Sequence, residues 1–259
     1  MPRPALHIGP KKLVESPAPN LELGLYRTQS SALHDLKFTG DLQPWPGFLS
    51  AVQTTHQSHT WRNKVLGLTL QTRDPYTHGN VEVGDETSVQ GRFHKYFGDV
   101  LNSIFTSQSK EIRFADFKCV QSSFAGTPDV IMKDVNRILK VVGELKVPWV
   151  YEHFLFDKLN NNHQLRNILA QPIRYMQSLG SVYGFISDYH KTIFLRQLVN
   201  SQGIWRIEYS PVVQSSTTYD RRAKNPPVVS SRQCFFHIGC EALNQGPVNN
   251  TTPRWVIRR

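Results

Sequence analysis

Residues 126–147 read Gly126-Thr127-Pro128-Asp129-Val130-Ile131-Met132-Lys133-Asp134-Val135-Asn136-Arg137-Ile138-Leu139-Lys140-Val141-Val142-Gly143-Glu144-Leu145-Lys146-Val147. Two apolar runs rich in Val and Ile flank Asp134-Val135-Asn136-Arg137, a group of turn formers. The spacing predicts strands over 129–133 and 138–147, joined as a hairpin. With the turn placed there, opposed residue numbers sum to about 273, which sets Asp129 across from Glu144 with Cβ atoms roughly 5 Å apart. Strand alternation sends Glu144 and Lys146 to that same face and Leu145 to the other. Two opposed carboxylates among Val, Ile and Leu repel one another, and a divalent cation that prefers hard oxygen ligands removes the conflict.

Outward from the hairpin, Asp85 is a helix N-cap, and a long helix is predicted to reach about Phe105. At about 100° per residue, Val89, Phe93, Phe97, Val100 and Ile104 all fall within about 60° of Glu86. Glu86 thus lies on the centre line of an apolar stripe, where a carboxylate needs a metal, a lysine or a hydrogen-bond donor. Gln90 is adjacent to it and His94 stands at the stripe's edge. A second helix is predicted over 163–179, kinked by Pro172. Its Gln171 and Tyr175 form an i, i+4 pair beside an apolar stripe of Leu165, Ile168, Leu169, Met176 and Leu179. Residues 181–187 and 192–198 read as another hairpin around Asp188-Tyr189-His190.

Asp129 followed by Glu144-Leu145-Lys146 resembles the PD-(D/E)xK nuclease superfamily. Gly126-Thr127-Pro128-Asp129 is similar to the Gly-x-x-Asp motif of its RecB-like branch, and Gln171-Pro172-Ile173-Arg174-Tyr175 to that branch's Gln-x-x-x-Tyr motif. Glu86 stands where the superfamily places its first-helix acid. The resemblance covers roughly residues 80–200 in the family's own order, and the stretch from Tyr183 to Arg196 is similar to fungal members. One departure is local: RecB-like enzymes often carry a first-helix histidine after a glycine, and Gly91-Arg92-Phe93-His94 is one residue short of that spacing.

The resemblance implies an α/β fold, a mixed central β-sheet flanked by helices in a restriction-endonuclease-like core. It also implies phosphodiester hydrolysis with Mg²⁺ or Mn²⁺, on DNA ahead of RNA. Asp129, Glu144, the Leu145 carbonyl and Glu86 would bind the metal, Lys146 would orient or help deprotonate the water, and Gln171 would assist. Tyr175, Gln90, His94 and Arg174 would position substrate. The alternative is an inactive nuclease-fold module that binds nucleic acid or a protein partner.

Composition fits a nucleic-acid partner. Among 259 residues, 30 Lys/Arg against 20 Asp/Glu give a net charge of +10. Three cysteines cannot form a fully paired disulfide framework, no apolar leader opens the chain, and no run spans a bilayer. A location in nucleus or cytoplasm, with no membrane partner, is expected; oligomeric state is not encoded. The chain divides into an N-terminal arm (1–46) with one strand near 21–26, a nuclease-like core (47–210), and a basic extension (211–259). The extension is partly irregular, with a strand over 233–238. It carries seven Lys/Arg (Arg221, Arg222, Lys224, Arg232, Arg254, Arg258, Arg259) against two acids, a net of +5 suited to a phosphate backbone or merely to solvation. Cys234, His237 and Cys240 have a zinc-like spacing but lack a fourth ligand, so the buried strand is the better reading. His56 and His59 are expected at the surface. Core packing is the better reading for Trp45, Trp149, Tyr151 and Phe154, with base stacking the alternative.

Overall fold

A computed structural model describes residues 6–29, 35–69, 81–155, 159, 161–253 and 255–258. The predicted hairpin is present as β3 (Val130–Asp134) and β4 (Leu139–Leu145), following β1 (Asp41–Pro44) and β2 (Ile112–Ala115). β5 (Tyr183–Ser187) and β6 (Lys191–Val199) form the second expected hairpin, and β7 (Trp205–Tyr209) follows. These strands lie side by side in the order β1-β7-β6-β5-β4-β3-β2, with Val213–Gln214 paired to the start of β6. The sheet is mixed. β4 runs parallel to β5 and β7 parallel to β1, while the remaining neighbours are antiparallel.

Every residue of β4 from Val141 to Leu145 is buried, because helices cover both faces of the sheet. On one face Val141, Leu145, Phe185 and Phe194 meet α1 (Pro10–Glu15), α2 (Phe48–Ser58) and the long helix at 86–107. On the other face Val142, Ile186, Ile193 and Ile207 meet α5 (Asn162–Ile168), α6 (Ala170–Leu179) and Trp255. Gly143 is needed between them: a Cβ there would lie 2.1 Å from Cζ of Phe185.

The long helix is capped by Asp85, whose carboxylate accepts from the Ser88 N–H at 2.7 Å. It runs as α3 (Glu86–Phe93), a π-helical turn (His94–Asp99) and α4 (Val100–Ser107). The π turn holds an extra residue and shifts the stripe by one position. Val89, Phe93, Phe97 and Ile104 are buried as predicted, while Val100 packs against the core only partly buried and its neighbour Leu101 is fully buried. The second helix breaks at Leu169. Pro172 has no N–H for the Ile168 carbonyl, and α6 starts afresh at Ala170.

Four expectations need correction. Residues 233–238 are not a strand but lie inside α7 (Ser231–Leu243), which starts at a reciprocal Ser230–Gln233 capping box. Buried on almost every side, α7 shows no amphipathic period, and its Phe235-Phe236 pair mimics a strand. Residues 21–26 do not form a strand either; a single bridge joins Leu23 to Val83. The segment read as an arm also supplies α1 and, in β1, a strand of the central sheet. Finally, His56 is buried at 3 % exposure, its Nε2 3.2 Å from Glu15 Oε1. Among the described residues no helix is long and apolar enough to cross a membrane.

Candidate metal centre

The register places Val130 opposite Gly143 and Ile131 opposite Val142, so Asp129, one residue before β3, comes level with Glu144. A hydrogen bond fixes that juxtaposition: Asp129 Oδ2 accepts the Leu145 N–H at 2.7 Å. Glu144 and Lys146 share a face as alternation requires, and Lys146 Nζ lies 2.5 Å from Glu144 Oε1. Glu144 is 1 % exposed and Lys146 2 %, so this Glu-x-Lys pair is not a solvated surface ion pair. The Lys146 backbone is held in turn by its N–H to the Ser187 carbonyl, 2.8 Å away.

Charge is crowded here. Burial, reinforced by the Asp129 charge, pushes the Glu144 carboxyl up to about 8 despite Lys146. Burial pushes Asp129 up to about 6, although the Leu145 N–H and Lys146 favour its ionised form. Burial works against the Lys146 ammonium, yet Glu144, Glu86 and Asp129 together hold it above its ordinary value. Asp129 and Glu144 are within hydrogen-bonding reach of each other, but two ionised carboxylates have no proton to share. Glu144 Oε2 is buried without a hydrogen-bond partner in the structure. A shared proton or a bound cation would relieve both conditions.

Helix α3 comes to this point from the other side. Glu86, half-buried in its first turn, acts by charge on Asp129, Glu144 and Lys146 alike. Gln90 Nε2 donates to the Asp129 carbonyl at 2.5 Å, and the His94 ring also hydrogen-bonds the Asp129 backbone. These two residues, expected to face substrate, contact the Asp129 main chain. Among the described residues no three His, Cys, Asp or Glu side chains are gathered to hold a metal ion. Asp129 and Glu144 make the close pair.

Helix α6 closes the site over the sheet. Tyr175 is 7 % exposed, its hydroxyl receiving Gln171 Nε2 at 2.9 Å and donating to the Thr127 carbonyl at 3.4 Å. Burial and the Glu144 charge push its phenol up to about 12, so it remains a donor. The glycine of Gly126-Thr127-Pro128-Asp129 has a steric role: a Cβ at Gly126 would meet Phe124 at 2.4 Å and Tyr175 at 3.1 Å. Arg174 is exposed on the outer side of α6.

No family model, curated protein or solved structure matches this chain. The site's chemistry therefore rests on its side chains alone.

Other singled-out residues lie elsewhere. His237 Nδ1 is 2.8 Å from Thr55 Oγ1, and Cys234 is enclosed in the aromatic core. Arg232 is buried and donates to the Tyr96 and Pro17 carbonyls, so it cannot track phosphates as the sequence reading allowed. Arg221, Arg222 and Lys224 are exposed, whereas Arg254, Arg259 and the Arg258 side chain lie outside the described residues. One contributor escaped the sequence reading. Residues 24–28 lace across the site's two sides: Gly24 N–H to Val83, Thr28 N–H to Gly84, and Trp149 Nε1 to the Thr28 carbonyl at 2.8 Å. No period marks that segment; its only signal is Leu25-Tyr26-Arg27, apolar and aromatic residues beside a cation.

Proposed function

We propose that the chain is a metal-dependent nuclease of the PD-(D/E)xK type, hydrolysing phosphodiesters of nucleic acid, DNA ahead of RNA. The observation that carries this is the close pair of half-buried Asp129 and buried Glu144, with an oxygen of Glu144 left without a partner and an ammonium held against the other. Binding alone requires no such lysine.

Asp129, Glu144, the Leu145 carbonyl and Glu86 are the oxygen donors that would hold Mg²⁺ or Mn²⁺, a donor set of the hard type these ions select. Such an ion, when bound, supplies Lewis acidity that lowers the pKa of water and offsets negative charge on phosphate oxygens. Lys146, as an ammonium, donates hydrogen bonds and a positive charge, which suits it to orient the attacking water in line and to neutralise charge growing on the phosphate. Gln90 and His94 fix the Asp129 main chain, and Gln171 orients the Tyr175 hydroxyl. Exposed Arg174 remains available to a phosphate. A nucleic-acid substrate fits the net charge of +10 and a place in nucleus or cytoplasm.

A second reading, a nuclease-fold module that binds without turnover, is favoured by two observations. Lys146 already neutralises Glu144, and among the described residues no three metal-binding side chains are gathered. One assay separates the two: cleavage of plasmid and single-stranded substrates with Mg²⁺ or Mn²⁺ by wild type, Lys146→Ala and Asp129→Asn. Loss of metal-dependent cleavage in both folded variants supports the nuclease. Equal cleavage by all three, or none by wild type, removes it.

A further inference from the structure

Beside the carboxylate pair lies an aromatic surface that the catalytic reading leaves unused. Gly24 and Thr28 are tied by their N–H groups to the consecutive residues Val83 and Gly84, so the residues between bow outward. Leu25 is 92 % exposed and Tyr26 93 %. On the opposite side Tyr151 is 61 % exposed, its ring edge-on to Phe154 at 5.6 Å. Trp149 stands between them with the Arg27 guanidinium 5.8 Å from its ring centroid.

These groups line two adjoining hollows. One, of ≈ 270 Å³, is walled by Leu25, Arg27, Trp149, Tyr151 and Glu152. The other, of ≈ 570 Å³, includes Tyr26, Arg27, Glu82, Asp85 and Ser88. Arg27 belongs to both. The second hollow holds Asp85 and Ser88, which bracket Glu86, and the first begins at Trp149, three residues after Lys146. The two hollows therefore adjoin the segments that carry Glu86 and Lys146.

Its chemistry selects an occupant. Glu82, Asp85 and Glu152 repel phosphate, so the hollows suit something uncharged and flat, with Arg27 as the cation for a neighbouring phosphate. Flat, uncharged faces on a phosphate chain are nucleobases, and they are free to stack on a protein only where the strand is unpaired, because a duplex buries them against one another. We infer that Tyr26, Trp149 and Tyr151, with Arg27, form a stacking platform that takes an unpaired strand of nucleic acid and leads it to the carboxylate pair. This inference rests on the nuclease reading and narrows its substrate to single strands or frayed ends.

The test is binding without turnover. Fluorescence anisotropy of labelled oligo(dT), oligo(U) and a hairpin duplex is measured with the full-length protein in EDTA, for wild type and a Tyr26→Ala/Tyr151→Ala double variant. Both tyrosines are exposed, so the variant is expected to fold, which circular dichroism checks. The platform predicts tighter binding of the oligonucleotides than of the duplex, quenching of Trp149 emission, and an oligonucleotide affinity at least about tenfold weaker in the double variant with duplex affinity unchanged. Duplex bound as well as single strand, or a double variant that binds like wild type, overturns the inference. The two readings fail separately. Lys146-dependent cleavage with no tyrosine effect removes only the platform, whereas tyrosine-dependent binding without metal-dependent cleavage keeps the platform and removes the nuclease.

Discussion

The Asp129 carboxylate accepts the main-chain N–H of Leu145 at 2.7 Å, and this contact sets the relation between the end of one strand and the start of its partner. It extends the ladder by a side-chain rung where β3 has not yet begun. Without it Asp129, following Pro128, would be free to swing from Glu144. The same bond keeps two carboxyl groups together that electrostatics drives apart, so a stabilising contact maintains an unfavourable charge arrangement. Such local conflict is what a functional site stores and a folding-optimised one discards.

Asp129→Asn is therefore expected to stabilise the metal-free protein. Asparagine retains an oxygen for the Leu145 N–H and removes one charge of the pair. The sign follows from burial raising the folded Asp129 carboxyl from its ordinary 3.8 to about 6. Stability from this group is fully present below pH 4, declines as pH rises towards 6, and is absent above it. At pH 7.5 the variant should gain about 1–3 kcal/mol in urea unfolding. Adding Mg²⁺ or Mn²⁺ should reverse the order, raising the melting temperature of wild type but not of Asp129→Asn. A destabilised metal-free variant would contradict the charge conflict.

Gln90 tests how the main chain of Asp129 is held. Its amide donates to the Asp129 carbonyl from one turn before His94, which contacts the same backbone. Gln90→Ala leaves every charge in place, so its effect is on position alone. Metal-dependent cleavage is expected to fall on the order of 10- to 100-fold with the melting temperature little changed, as for other groups that orient ligands. A parallel loss of stability and activity would instead mark Gln90 as packing.

The site was more legible than the molecule around it, for a physical reason. Strand alternation and hairpin register are short-range rules, and they bring Asp129, Glu144 and Lys146 together from the turn at 134–137 alone. The cap at Asp85 and the break near Pro172 are equally local. By contrast, the π turn at His94–Asp99 has no marker in composition, and after it Leu101 is fully buried while Val100 is only partly so. Helix α7 was misread because periodicity reports a boundary between core and water, and α7 has almost none. Its Ser230–Gln233 box was the available signal. Exposure of Tyr26 depends on long-range hydrogen bonds, Gly24 to Val83 and Thr28 to Gly84, that sequence spacing does not encode.

Acid should destabilise the fold through His237. Burial, and then the Arg196 charge, lowers its folded pKa from the ordinary 6.5 to about 4, and its Nδ1 faces Thr55 Oγ1. Between these values the unfolded chain binds the extra proton, so stability falls as pH drops from 6.5 towards 4, by at most about 3 kcal/mol. His237→Gln, keeping a polar group for Thr55, is expected to flatten that part of the urea-stability profile relative to wild type. Superimposable slopes for the two proteins would assign the acid transition elsewhere.

The aromatic core gives the largest expected effect. Phe235, on α7, meets the rings of Phe93, Phe97, Phe114, Phe185 and Phe194 at centroid distances of 4.8 to 5.6 Å. It thereby joins α7 to α3, to the π turn and to three strands, including β5 beside the Glu-x-Lys strand. Truncating it leaves a cavity that so many rigid rings cannot collapse to fill, and Phe235→Ala should cost about 3–5 kcal/mol. Phe235→Leu, which keeps most of the volume, should cost less than half of that. Because Phe185 both contacts Phe235 and covers Gly143, the alanine variant is also expected to speed amide exchange at residues 143–146. Unchanged exchange there, alongside the expected loss of stability, would show that the carboxylate strand is held independently of α7.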